Sequence, residues 1–261
     1  MTPEIAKQKR DQLITDGFCI VDDVLTDELL NDLRRETDHM LDSVDHPPDW
    51  KFQGSDLNVN SCDEPVIDRL IHWKPAREAM EALGLGDFKA DETMIILSKP
   101  PGGPALYWHQ DWRRWNDPIS TAPWPQYLFL SYYLTDTNLE NGCLRVIPGT
   151  HYKRIDLHDL LMTPHTDAAR NADEQDPHMF CDHPDAVDVP VKAGALVIAE
   201  GRMLHAARAN YSDQRRTLLL CWHRRSTEVP ENWTGEIPES ILNRDPETEY
   251  EPTRVPGSYL V

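Results

Sequence analysis

The stretch Tyr107-Trp108-His109-Gln110-Asp111-Trp112, YWHQDW, sets an imidazole and a carboxylate two positions apart amid indole and phenol side chains. An ionised carboxylate in such surroundings is costly unless something pairs with it. The short aromatic run reads as a strand, on which residues two apart share a face. That alternation puts Tyr107, His109 and Asp111 on one side and Trp108, Gln110 and Trp112 on the other. His109 and Asp111 then form two corners of a metal site. An H-x-D pattern alone is common on surface strands, so a third ligand must come from elsewhere.

Outward from this stretch, the chain changes character near residue 90. Short β-branched or aromatic runs follow at 93–97, 105–111, 127–134, 144–147, 186–191, 195–199, 203–207 and 217–222, punctuated by Pro-Gly and Asn-Gly. So many short strands predict an all-β sandwich or barrel. Residues 127–130 (YLFL) are apolar on both faces, which requires cover on both sides. The N-terminal third supplies candidates for that cover. Thr26-Asp27-Glu28 carries an N-cap and acidic first turn, and Leu29, Leu30, Leu33, Met40 and Leu41 recur at helical spacing. A second helical stretch starts near Glu64, is interrupted at Pro75 and runs to Gly84 and Gly86. Residues 51–61 show no period and read as loop. The expected organisation is a single domain over 1–261, with a helical support region (1–89), a catalytic core (90–225) holding a lid-like insertion (153–184), and a proline- and acid-rich tail (226–261).

Bulk composition narrows the class. A net charge of −19 disfavours nucleic acid or an anionic membrane as partner, since both demand a basic face. No apolar run approaches the ~20 residues of a membrane helix, and the polar start MTPEIAKQKRDQ has no signal-peptide core. Five scattered cysteines without a C-x-x-C pair suit reduced thiols, hence a cytoplasmic protein.

Among eleven histidines, His205 stands out as the third ligand. It lies in MLHAA, after the glycine-marked strand VKAGALVIAEG, and is followed by the turn Asn210-Tyr211-Ser212-Asp213 and then Arg215-Arg216. Two histidines and a carboxylate leave three octahedral positions open, two for a chelating 2-oxo acid and one for oxygen. A guanidinium on a neighbouring strand would take the acid's distal carboxylate. Spacing alone leaves Arg215 and Arg216 both eligible.

These features together resemble the phytanoyl-CoA dioxygenase family of Fe(II)/2-oxoglutarate oxygenases. The resemblance covers roughly residues 10–225. It rests on the YWHxD-like H-x-D, NGCLRVIPGTH at 141–151, His205 with an arginine at 216, and GFCIVDDVLTDELL from Gly17. It implies a mainly β double-stranded β-helix (a jelly roll, cupin-like) with flanking N-terminal helices. It implies that His109, Asp111 and His205 bind Fe(II) as the catalytic centre. It selects Arg216 for the 5-carboxylate of 2-oxoglutarate and points to Ser131 as a second co-substrate contact. One departure is Ala207, where many relatives have a hydroxyl against the co-substrate. Halogenating relatives replace the carboxylate that Asp111 retains, so hydroxylation or another C–H oxidation is implied, consuming O2 and releasing succinate and CO2. Relatives act on acyl-CoA thioesters, compatible solutes and natural-product intermediates, so a small-molecule substrate is expected.

Tyr107, Trp112 and Arg113 are the substrate-contact candidates. Core packing competes for Tyr107, Trp108, Trp112, Trp115 and Trp124, and charge balance competes for Arg113 and Arg114. The segment HMFCDH (178–183) has donors for a second metal but no partner ligands, and His151 reads as structural. Two other functions remain: a jelly-roll protein that binds metal or a small ligand without turnover, and a zinc hydrolase on the same ligands, which would not need Arg216.

Overall fold

A computed structural model describes residues 1–44, 55–112 and 125–225. Arg113, Arg114, Trp115, Trp124, residues 51–54 of the expected loop and the tail 226–261 lie outside the described residues.

The chain begins with α1 (Pro3–Asp16), capped by the Thr2 hydroxyl accepting from the Ile5 N–H. It stops at Gly17, whose φ of 90° lets its N–H close on the Leu13 carbonyl. A side chain at Gly17 would stand 2.8 Å from both the His151 ring and the Met203 sulfur, so only glycine fits. Strand β1 (Phe18–Val21) leads to α2 (Asp27–Asp42), where Thr26 is the N-cap as the sequence predicts. The interrupted helical stretch is two helices, α3 (Pro65–Ile71) and α4 (Lys74–Ala82), each with proline in its first turn.

Among the described residues, ten strands form two antiparallel sheets. Between α2 and α3 lies β2 (Ser55–Asn60), followed after α4 by β3 (Phe88–Lys99), β4 (Leu106–His109), β5 (Tyr127–Tyr133) and β6 (Leu144–Val146). The last four are β7 (Val187–Val189), β8 (Leu196–Glu200), β9 (His205–Ala207) and β10 (Arg216–Arg225). The main sheet runs β1-β8-β5-β10-β3-β2 and the smaller one β4-β9-β6-β7. This is the expected mainly β jelly roll with flanking helices. One expectation is corrected: residues 55–60 are a strand and not loop. Its SDLNVN sequence is polar because it sits at the sheet edge, where one side needs no apolar cover.

The doubly apolar strands now have two partners. On β5, Leu128, Leu130 and Tyr132 pack outward with Leu13, Ile14, Leu29, Leu33 and Ile67 of the helices. Phe129 and Tyr133 pack inward with Val146, Val189, Leu218 and Leu220. Each of these fully buried aliphatics contributes roughly 2 kcal/mol, so the helical layer is an integral half of the core. Between β6 and β7, the insertion forms two short helices, α5 (Leu157–Leu160) and α6 (Asp167–Arg170). It is tied to the small sheet where the Met179 carbonyl accepts from the Trp108 N–H at 2.8 Å. Among the described residues, no helix is long and apolar enough to cross a membrane.

Candidate metal centre and its cavity

β4 and β9 pair so that His109 stands directly opposite His205. Their ring centroids are 4.2 Å apart. Each ring is locked by the backbone two residues before it: Nδ1 of His109 donates to the Tyr107 carbonyl at 2.9 Å, and Nδ1 of His205 to the Met203 carbonyl at 3.0 Å. Nε2 is therefore the atom each ring has left to offer.

Strand β4 ends at His109, and the chain then bends toward the turn between β8 and β9. The Gly201 carbonyl accepts from the N–H groups of both Asp111 and Trp112, at 2.8 and 3.0 Å. This bend brings the Asp111 carboxylate between the two imidazoles, with Oδ2 at 3.2 Å from His205 Nε2 and Oδ1 at 3.7 Å from His109 Nε2. All three residues are buried. Burial pushes His109 down to about 3, so its Nε2 carries a lone pair at ordinary pH. Burial opposes charge on Asp111 too, but His205 beside it and a hydrogen bond from His165 hold its carboxyl well below the usual range. An ionised oxygen and an imidazole lone pair thus face each other with no hydrogen between them. Such a set of acceptors is completed by a cation, and two imidazoles with one carboxylate suit a divalent transition metal.

A cavity of about 490 Å³ opens between the sheets over these residues. Its far wall comes from β5 and β10, including Ser131, Arg216 and Trp222. Arg216 is buried, its Nε has no hydrogen-bond partner, and burial lowers its pKa, with Tyr133 and Cys143 opposing. Among the described residues it forms no ion pair, which is unusual for a buried guanidinium. Its register partner on β3, Lys99, is buried too: its Nζ donates to the Pro104 and Arg208 carbonyls at 2.7 and 2.8 Å, and burial, with the Arg216 charge beside it, pushes its pKa well below the usual lysine range. Arg215 instead reaches Asp42 and Asp38 at 3.2 and 3.6 Å on the surface.

The sequence-derived candidates divide clearly. His109, Asp111, His205, Arg216 and Ser131 share the cavity, as does Ala207. Trp112 also lines it, although strict alternation places it on the opposite face. Alternation fails because β4 has ended before Asp111, so both residues follow the bend. Tyr107 is corrected the other way. It is buried behind His109 with Ala169 and Met179, packed edge-on with ring centroids 5.2 Å apart, and is not on the cavity wall. His151 is structural, donating Nε2–H to the Ile14 carbonyl at 2.8 Å.

His165 went unread in the sequence. It comes from the insertion, lines the cavity, and its Nε2 lies 2.9 Å from Asp111 Oδ1. Its ligand atom and those of His109 and Asp111 all lie within 4.8 Å of one another. The residue sits in a polar segment without period, so no pattern marks it. The HMFCDH segment gathers no comparable set among the described residues.

Comparison with known proteins follows the same lines. The sequence profile described as phytanoyl-CoA dioxygenase (PhyH) matches residues 14–218. The chain is similar to "Phytanoyl-CoA dioxygenase domain-containing protein 1" of Mus musculus, 27% identical over 183 residues, covering 67% of this chain and 60% of that protein. It is also similar to the ectoine dioxygenase of Nocardia farcinica, 26% identical over 156 residues, 57% of this chain and 52% of that one. Among solved structures, the epimerase SnoN, in complex with Fe3+, alpha ketoglutarate and nogalamycin RO, superposes with a TM-score of 0.61 at 20% identity, covering 98% and 95% of the two chains. That likeness concerns the fold. The matched part of this chain spans 60% of the length of the mouse relative.

Proposed function

Because the chain belongs to the phytanoyl-CoA dioxygenase family, we propose that it is a non-haem Fe(II)/2-oxoglutarate-dependent dioxygenase. It would hydroxylate, or otherwise oxidise, a C–H bond of a small molecule, with release of succinate and CO2. The reading is carried by one arrangement: a two-histidine, one-carboxylate donor set and a buried guanidinium with no ion pair among the described residues share a single cavity.

His109, Asp111 and His205 hold the iron, and Arg216 pairs with the distal carboxylate of 2-oxoglutarate. When bound, iron with 2-oxoglutarate and O2 supplies the oxidising equivalent for C–H cleavage. The chain's own residues prepare the ground. The carbonyls of Tyr107 and Met203 fix the two ring orientations before any ligand arrives. The Arg216 fork aligns the co-substrate, with Ser131 beside it. Ala207 offers no hydroxyl there, so alignment falls more heavily on Arg216.

Phe129, Leu218, Leu220 and Trp222 make an apolar wall that excludes water from the reacting region. Trp112 and Tyr127, with Trp222 stacked 4.5 Å from Tyr127, form the aromatic surface for the substrate body. An ectoine dioxygenase and an epimerase bound to nogalamycin RO are among the similar proteins, and a small-molecule substrate is the reading here. All five cysteines are free.

The test is substrate-free turnover. Protein supplied with Fe(II), 2-oxoglutarate and O2 should release succinate slowly, and Zn(II) should not replace iron. A zinc hydrolase or a purely binding protein gives no succinate under any of these conditions.

A further inference from the structure

The geometry points to His165 as a clasp that joins the 153–184 insertion to the metal-binding carboxylate and sets how that carboxylate coordinates. This rests on the reading of Asp111 as a metal ligand, and adds a residue outside the triad.

Asp111 has two oxygens in different surroundings. Oδ2 faces His205 Nε2 at 3.2 Å, inside the donor set. Oδ1 lies 2.9 Å from His165 Nε2 and 3.7 Å from His109 Nε2. The longer contact is beyond hydrogen-bond reach, and the His109 ring already carries its hydrogen on Nδ1. His165 is therefore the donor to Oδ1. A carboxylate with one oxygen engaged in a hydrogen bond presents the other alone to a metal. Coordination through both oxygens would occupy a position that a chelating keto acid and O2 need. By holding Oδ1, His165 keeps three positions free.

The clasp is built for that place. His165 has φ 61°, a left-handed conformation that a side-chain-bearing residue keeps only when its surroundings hold it there. What holds it is the metal strand itself: its backbone N–H donates to the Tyr107 hydroxyl at 3.0 Å. Tyr107 is in turn packed edge-on against the His109 ring. This gives the buried tyrosine a role, as anchor for the loop. Immediately after His165, Thr166 caps α6, which places Arg170 on the cavity wall. One residue thus links metal ligand, metal strand and the insertion's share of the cavity. A metal that fixes Oδ2 orients Oδ1 toward His165. By linkage, closure of the insertion then tightens metal binding as much as metal binding tightens closure.

The test uses the full chain and Mn(II), so no turnover is involved. Calorimetry should give His165→Ala about 10- to 100-fold weaker Mn(II) affinity, the usual effect of losing a hydrogen bond behind a ligand. His165→Gln, which retains a donor, should recover part of it. In the wild type, Mn(II) should slow amide hydrogen exchange across 153–184, and in His165→Ala that slowing should vanish while the main sheet stays protected. Wild-type affinity in His165→Ala, or metal-indifferent exchange of the insertion in the wild type, overturns the clasp. Complete loss of binding, as in Asp111→Ala, makes His165 a ligand and also overturns it. A wild-type protein that binds no Mn(II) overturns the metal assignment itself, whereas wild-type binding with an indifferent His165 overturns the clasp alone.

Discussion

Arg215 and Arg216 are consecutive in the chain yet serve opposite sides of β10: Arg215 pairs with Asp38 and Asp42 of α2, while Arg216 is buried in the cavity with its Nε unpartnered. Replacing Arg216 by methionine should weaken 2-oxoglutarate binding by about 30-fold or more, or about 2 kcal/mol, without loss of metal. The same change removes an uncompensated buried charge, so the ligand-free variant should be as stable as the wild type or more so. Arg215→Ala should leave 2-oxoglutarate binding intact and cost under about 1 kcal/mol, as exposed ion pairs do. Calorimetry and urea unfolding check both. A destabilised Arg216→Met with unchanged 2-oxoglutarate affinity would assign Arg216 to structure.

Glu200 and Arg202 form a fully buried ion pair at 2.9 Å, flanking the Gly201 carbonyl that seats Asp111 and Trp112. Glu200 also accepts from the Gln126 N–H at 3.2 Å. Glu200→Gln removes the carboxylate charge from this buried pair, with an expected cost of about 3–5 kcal/mol. It should also loosen the bend that positions Asp111, so metal affinity falls with stability. Wild-type urea unfolding in this variant would show that the pair does not support the turn.

Acid should destabilise the fold well before its carboxylates titrate. Burial pushes His158 and His223 down to about 4 from an ordinary value of 6.5. Between those values the unfolded chain binds protons that the folded chain refuses, so stability falls as pH drops from 6.5 toward 4. Each histidine contributes up to about 1.4 kcal/mol per pH unit in that window. Urea midpoints at about pH 7 and about pH 5 read the effect, and His158→Gln should flatten it. Equal midpoints at the two values would mean that these rings are protonated in the fold.

Much of this architecture is legible in the chain because its signals are local. The Thr26 N-cap, the doubly apolar β5 and the H-x-D at the end of β4 each rest on neighbours in sequence. What escaped depends on tertiary events. Trp112 changes face because β4 ends one residue after Trp108, and no pattern of alternation announces where a strand stops. Choosing Arg216 over Arg215 needs the register of β10 against β3, which pairs Arg216 with Lys99. β2 reads as loop because an edge strand whose Asp56 and Asn58 face the cavity carries little apolar signal. His165 is invisible because its partners, Tyr107 and Asp111, lie 58 and 54 positions away.

On the proposed function, His109, Asp111 and His205 hold one divalent metal on which a 2-oxo acid, anchored by Arg216, depends. Anaerobic titration of the full chain with Fe(II) and then 2-oxoglutarate tests it most directly. The expected result is one metal per chain, 2-oxoglutarate binding only once the metal is present, and loss of both in His205→Ala. Metal and 2-oxoglutarate bound equally well by wild type and His205→Ala would contradict the account.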